Sequence, residues 1–65
     1  MEVLHVTKNP SARYLKAVVI VRWPDGRTAH YAKWRKGGGW NNFYEGIDCA
    51  SCLQRELNKV LKNSN

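Results

Sequence analysis

The spacing of apolar and polar positions predicts a long β-hairpin in the first half of the chain. Residues 14–23 contain a run rich in Val and Ile. Such β-branched side chains lose rotamer freedom in a helix and fit a pleated strand. Pro24-Asp25-Gly26 follows, and this composition favours a turn, because Pro fixes φ and Gly accepts a positive φ. We therefore predict strands at about 13–23 and 28–35.

A different spacing in the last third of the chain predicts a helix at about 49–62. Apolar residues recur there three or four positions apart, as expected for one face of a helix: Cys49, Cys52, Leu53, Leu57, Val60 and Leu61. Asp48 precedes this stripe and is predicted to be the N-cap, since its carboxylate can accept from the first free N–H groups.

Two weaker signals complete the predicted fold. Residues 2–7 alternate well enough to form a short strand, and residues 40–45 form either a fourth strand or an ordered loop. The amphipathic helix must bury its apolar stripe on one face of the sheet. The sequence thus predicts a single α+β domain over residues 1–65, with a small antiparallel sheet of three or four strands packed on one C-terminal helix.

The register of the hairpin determines which side chains share a face, because a shift of one residue moves every side chain to the other side. A three-residue loop would place Lys33 and Arg35 on the helix side, and burying these charges unpaired is costly. We therefore predict a four-residue loop, residues 24–27, that pairs Trp23 with Thr28. The open face then carries four cations and several uncharged side chains: Lys16, Arg22, Lys33, Arg35, Tyr14, Val18, Ile20 and Tyr31.

The charge is strongly asymmetric along the chain. Eleven Lys and Arg against five Asp and Glu give a formal net charge of +6. Residues 1–36 hold eight of these cations and only two carboxylates, so they account for the whole excess. A one-sided basic field attracts polyanions, although a charge of this size is also ordinary for the solubility of a small domain.

Aromatic and basic residues alternate in one segment, which favours nucleic acid as the partner. Five of the seven aromatic residues lie within residues 31–44, among three cations and three consecutive glycines. Cations neutralise phosphates, and exposed rings stack on unpaired bases. The leading hypothesis is a small basic module that binds DNA or RNA without a cofactor. Its predicted contacts are Lys16, Arg22, Lys33, Arg35 and Lys36 to phosphates, and Tyr31, Trp40 and Tyr14 to sugar and base. Trp34, in contrast, is expected to fill the core.

The alternative hypothesis is a small protein-binding inhibitor or accessory factor, of the kind that phages encode against host complexes. It would present the same basic and aromatic patch to an acidic protein surface, because Arg and aromatic side chains are frequent hot spots. The exposed apolar residues of the open face are also compatible with a homodimer. The sequence contains no apolar run of membrane-spanning length and does not begin with a secretory signal. Its two cysteines lie too close together to form the disulfide scaffold of a secreted domain, so we expect an intracellular, cytoplasmic protein.

The two cysteines, Cys49 and Cys52, form a C-x-x-C pair at the predicted start of the helix. Such a pair can be half of a zinc site or redox-active, but the same spacing also fits two small core residues. We favour core thiols and expect no metal. Catalysis would require convergent titratable groups, and the few candidates include His30, which faces the helix in the predicted register. We therefore expect that the protein is not an enzyme.

Overall fold

Four antiparallel strands and one C-terminal helix make up the computed structural model, which describes residues 1–64. The elements are β1 (Glu2–Lys8), β2 (Leu15–Arg22), β3 (Thr28–Trp34), β4 (Trp40–Asn42) and α1 (Ser51–Asn63). Each strand pairs with the next one in sequence, so the sheet order is β1-β2-β3-β4. The predicted α+β fold is confirmed, and the segment that was either loop or strand contributes a short fourth strand.

The turn between β2 and β3 has three residues, 24–26, and not the four that we predicted. The N–H of Trp23 donates to the carbonyl of Arg27 at 2.8 Å, and the N–H of Gly26 donates to the carbonyl of Trp23 at 2.9 Å. Gly26 adopts a φ of 88°, which glycine tolerates without strain. Arg22 therefore lies opposite Thr28, and the predicted register was wrong by one residue.

The observed register places Lys33 on the helix side of the sheet, opposite Ala17. Placing Lys33 on this side would be costly if its ammonium group were buried without a partner. Instead, Lys33 is only partly buried, and its Nζ donates to Oδ1 of Asn58 on α1 at 2.8 Å. A long aliphatic stem can cover apolar surface while its charged end reaches a polar edge. Beyond Lys33, an irregularity in β2 between Leu15 and Ala17 shifts the pairing, and Arg35 is exposed.

The core lies between α1 and the sheet face that Val19, Val21 and Tyr31 share. Trp40 of β4 and Leu57 of α1 complete it, with 1% and 0% of their surface exposed. Further apolar residues pack around this cluster: Val6, Trp23, Ala29, Cys49, Leu53, Val60 and Leu61. The predicted apolar stripe of the helix is thus confirmed, except that Cys52 is exposed.

The helix begins later than predicted, at Ser51, and Asp48 does not cap it. The N-cap is Ala50, which makes no side-chain capping bond. Asp48 instead forms an isolated β-bridge with Asn41, next to a bond from the N–H of Cys49 to the carbonyl of Trp40. Extended pairing with β4 therefore holds the carboxylate too far upstream to act as the cap. Among residues 1–64, no helix is long and apolar enough to cross a membrane.

Leu57 is the fully buried residue through which α1 anchors to the sheet, so we expect Leu57→Ala to be severely destabilising. Removal of a buried leucine side chain typically costs about 2–5 kcal/mol, a large share of the stability of a small domain. Urea denaturation followed by circular dichroism measures this loss. Arg55→Ala is the matched control, because Arg55 is exposed on the same helix and its loss should change stability by less than about 0.5 kcal/mol. Equal effects of the two substitutions would contradict the assigned core.

Candidate functional site

One end of the sheet, where β1 and β3 end and β2 begins, collects most of the basic side chains. In an antiparallel sheet these three strand ends lie side by side, and the pairing Lys8–Ala17–Lys33 runs straight across them. We call this region the basic end and define it by its six cations: Lys8, Arg13, Lys16, Lys33, Arg35 and Lys36. The folded chain thus concentrates cations that are spread over 29 positions in the sequence.

The carboxylates of the same half of the chain are paired at the opposite end of the sheet. Glu2 lies 3.2 Å from the Nε of Arg22, and Asp25 lies 3.6 Å from the Nε of Arg27. Within residues 1–64, no ion pair involves a cation of the basic end. The carboxylates Glu2 and Asp25 therefore leave the six cations of the basic end without an ion-pair partner among the residues that the structure describes.

An aromatic pair lies at the basic end. The rings of Tyr14 and Trp34 stack, with centroids 5.1 Å apart and an angle of 22° between their planes. Tyr14 is 58% exposed, and Trp34 is partly buried. Both rings line an open cavity of about 500 Å³, together with Arg13, Arg35 and Lys36. We call it the Tyr14–Trp34 cavity, and it combines an aromatic wall with a cationic rim.

Backbone hydrogen bonds fix the two rings relative to each other. Trp34 lies opposite Leu15 in the sheet, and the N–H of Arg35 donates to the carbonyl of Tyr14 at 3.1 Å. The N–H of Leu15 also donates to the carbonyl of Ala12 at 3.0 Å, which closes the turn before β2. The guanidinium of Arg35 donates to Oδ1 of Asn9 at 3.2 Å. The aromatic wall therefore stands on paired backbone rather than on a free loop.

The structure brings together some of the predicted contact residues and separates others. Tyr14, Arg35 and Lys36 line the cavity, and Lys16 is exposed at the same basic end. Arg22 lies at the opposite end, where it pairs with Glu2. Lys33 belongs to the basic end but is bonded to Asn58 on the helix side. Only some of the predicted aromatic and cationic contact residues therefore lie at the Tyr14–Trp34 cavity.

Tyr31 and Trp40, both predicted to stack on a ligand, are core residues. Tyr31 is 7% exposed, because the one-residue shift of register turns it toward the helix, and its hydroxyl oxygen accepts from Nε1 of Trp23 at 3.3 Å. Trp40 is 1% exposed, and its Nε1 donates to Oδ1 of Asn58 at 2.9 Å. Neither ring offers a free face, so the expectation that they are accessible was wrong.

Arg13 and Trp34 line the cavity although neither was predicted as a contact residue. In the sequence, Arg13 precedes Tyr14, and Trp34 precedes Arg35 and Lys36. Each strand end thus carries an aromatic ring directly beside a cation. Antiparallel pairing of the two strands places these short motifs side by side, and that combination was the signal that could have identified the site.

The open face of the sheet, which points away from α1, is not the basic face that we predicted. His5 and His30 both lie opposite Ile20, so the three side chains form a row across β1, β2 and β3. The next row is Thr7, Val18 and Ala32. The ring of His30 also packs edge-on against Tyr44, with centroids 5.1 Å apart. These two rows contain no Lys, Arg, Asp or Glu, because the shifted register places Lys33 on the other side of the sheet.

Both cysteines are free thiols, but only one matches the predicted core role. Cys49 packs against the core, where burial and the neighbouring Asp48 raise the pKa of its thiol. Cys52 is exposed, and the core prediction for it was wrong. Residues 1–64 contain no group of three or more His, Cys, Asp or Glu side chains placed to hold a metal ion.

Comparison of the chain with protein-family models, curated proteins and solved structures finds no match in any of the three. The assignment of a function therefore depends on the chemistry of the basic end. Its distinguishing features are six cations that form no ion pair within residues 1–64, the stack of the exposed Tyr14 on Trp34, and the cavity that both rings line.

The electrostatics of the basic end predict how Lys33 titrates. Burial lowers the pKa of Lys33, and the nearby charge of Lys16 lowers it further. Removing that charge in Lys16→Gln should raise the pKa of Lys33, but not to its ordinary value, because burial is the larger cause. Titration of the Lys33 side chain by NMR measures the shift.

The exposed Lys36 supplies the control for this titration, since Lys36→Gln should leave the pKa of Lys33 unchanged. A Lys33 titration that is the same in Lys16→Gln and in the wild type would contradict the assigned proximity. The lowered pKa of Lys33 in the folded protein also makes stability depend on pH. The unfolded chain keeps the Lys33 proton to higher pH than the folded chain does. The contribution of Lys33 to the free energy of unfolding therefore increases as the pH rises from its folded pKa to its unfolded pKa.

Proposed function

We propose that this protein binds nucleic acid through its basic end. The observation that carries the proposal is the combination of six clustered cations, none in an ion pair within residues 1–64, with the exposed Tyr14–Trp34 stack. Clustered cations bind the phosphate backbone and release its condensed counterions, whereas an aromatic ring contacts sugar or base. This pairing of chemistries is more specific than net charge alone.

The rim of the Tyr14–Trp34 cavity supplies the phosphate contacts in this proposal. Arg13 and Arg35 present planar guanidinium groups, which can donate two parallel hydrogen bonds to one phosphate. Lys36 adds a flexible ammonium beside them. Lys8 and Lys16 lie further along the same end and line a second, smaller hollow, which extends the basic surface. A strand of nucleic acid can therefore contact several cations at once.

The glycines after Lys36 keep the approach to this rim open. Gly37 and Gly38 have φ values of 85° and 65°, in the left-handed region that favours glycine. A Cβ atom at either position would have no atom within 4 Å other than those of its chain neighbours, so no other part of the protein packs against this loop there. A phosphate can therefore approach the backbone beside Lys36 closely.

Removal of Lys36 tests the phosphate contacts. We expect Lys36→Gln to weaken binding of a fluorescein-labelled oligonucleotide and to reduce the salt dependence of its affinity. Each phosphate contact contributes about 0.7 to 0.9 to the slope of log K against log salt concentration, and the loss should be of that size. Fluorescence anisotropy at several salt concentrations measures both quantities.

Arg27→Gln is the matched control, because Arg27 is an exposed cation that pairs with Asp25 at the opposite end of the sheet. It should preserve both the affinity and the slope. Equal effects of the two substitutions would indicate binding governed by net charge and would remove the basis for assigning the basic end.

A second candidate function, binding to another protein, is favoured by a different surface. The loop after β4 exposes three large apolar side chains, Phe43, Tyr44 and Ile47, with 43%, 74% and 64% of their surface accessible. Exposed apolar clusters of this kind frequently mark interaction sites. The two functions are separable, since a protein contact through this loop should be lost in Tyr44→Ser and Ile47→Ser but retained in Lys36→Gln.

A further inference from the structure

We infer that the Tyr14–Trp34 cavity accepts an unpaired base, so that the partner is a single-stranded rather than a duplex nucleic acid. This inference rests on the proposed function and specifies its ligand.

The cavity has two chemically different parts that match the two parts of a nucleotide. Its wall consists of the rings of Tyr14 and Trp34, which offer an apolar, π-rich surface. Its rim consists of Arg13, Arg35 and Lys36, which offer only positive charge. A volume of about 500 Å³ is in the range of sites that hold small organic ligands. A base against the wall would leave its phosphate at the rim.

The orientation of the rings favours stacking over contact with base edges. Tyr14 and Trp34 are nearly parallel, and Tyr14 keeps 58% of its surface exposed although it already stacks on Trp34. A third planar ring can therefore extend the stack. A base inside a duplex has both faces covered by its neighbours and presents only its edges in the grooves. An unpaired base has free faces, and stacking on aromatic side chains is how single strands are commonly bound.

The distribution of cations favours a chain of nucleotides over a single free nucleotide. Only three of the six cations line the cavity, whereas Lys8 and Lys16 line the neighbouring hollow. A mononucleotide would use the rim alone, and a strand would place further phosphates beside the second group. We therefore expect an oligonucleotide to bind more tightly than its mononucleotide.

Four probes separate these ligands: a single-stranded oligothymidylate of about ten nucleotides, an abasic strand of equal length, a duplex of equal length and thymidine monophosphate. The abasic strand retains the phosphates but has no rings to stack. We expect the single strand to bind most tightly and the abasic strand to bind about 5- to 150-fold more weakly, the factor that corresponds to stacking of one base.

Substitution of Tyr14 assigns the difference between these probes to the cavity. Tyr14→Ala should weaken binding of the single strand by a similar factor and leave the abasic strand and the duplex unchanged. Tyr14→Phe keeps the ring and should retain the affinity. Tyr44→Ala is the matched control, because Tyr44 is an exposed tyrosine outside the cavity, and it should have no effect. Tyr14 is itself mostly exposed, so these variants should fold, as circular dichroism would verify.

Tryptophan fluorescence gives an independent readout of the same contact. A stacked base should quench Trp34, and Trp34→Phe should abolish the quenching while anisotropy still reports binding. Equal affinity for the single strand and the abasic strand, or for the single strand and the mononucleotide, would overturn the inference but leave the proposed function intact. Absence of salt-dependent binding to any strand or duplex would overturn both.

Discussion

The three-residue turn between β2 and β3 is the constraint on which the rest of the structure depends. It pairs Trp23 with Arg27 and so decides which side chains of β3 face the helix. Because side chains alternate along a strand, this single choice sends Tyr31 to the core and leaves His30 on the open face. One more residue in the turn would have exchanged these faces along the whole strand.

The selected register is stable because each polar group that it moves toward the helix has a partner. Lys33 Nζ and Trp40 Nε1 both donate to Oδ1 of Asn58, at 2.8 and 2.9 Å. The Lys33 ammonium also lies 5.6 Å from the centre of the Trp40 ring, a favourable cation–π distance. One acceptor on the helix therefore ties α1 to both β3 and β4. The cost of placing a lysine on this side is offset without a carboxylate, and the positive charge of the basic end is preserved.

The basic end follows from the meander topology. Successive antiparallel strands place the end of β1, the start of β2 and the end of β3 together, and each carries cations. Their repulsion is tolerated because most of these side chains are exposed and water screens their charges. The irregularity at the start of β2 changes the pairing beside Leu15, where Tyr14 meets Trp34. A charged end and an aromatic cavity thus arise at the same strand termini.

The order of amino acids was enough to predict the fold class, the hairpin, the apolar stripe of the helix and the concentration of charge in the first half of the chain. These features depend on local periodicity and composition, which a single chain displays directly. It was not enough to predict the turn length, because Pro24-Asp25-Gly26 is compatible with loops of several lengths. The difference in free energy between the two registers depended on whether Lys33 has a partner, and that partner, Asn58, lies 25 residues further along the chain. It also did not show that Tyr14 meets Trp34 or that Tyr31 and Trp40 are buried. Such contacts join residues distant in sequence, and only tertiary packing decides between faces that are locally equivalent.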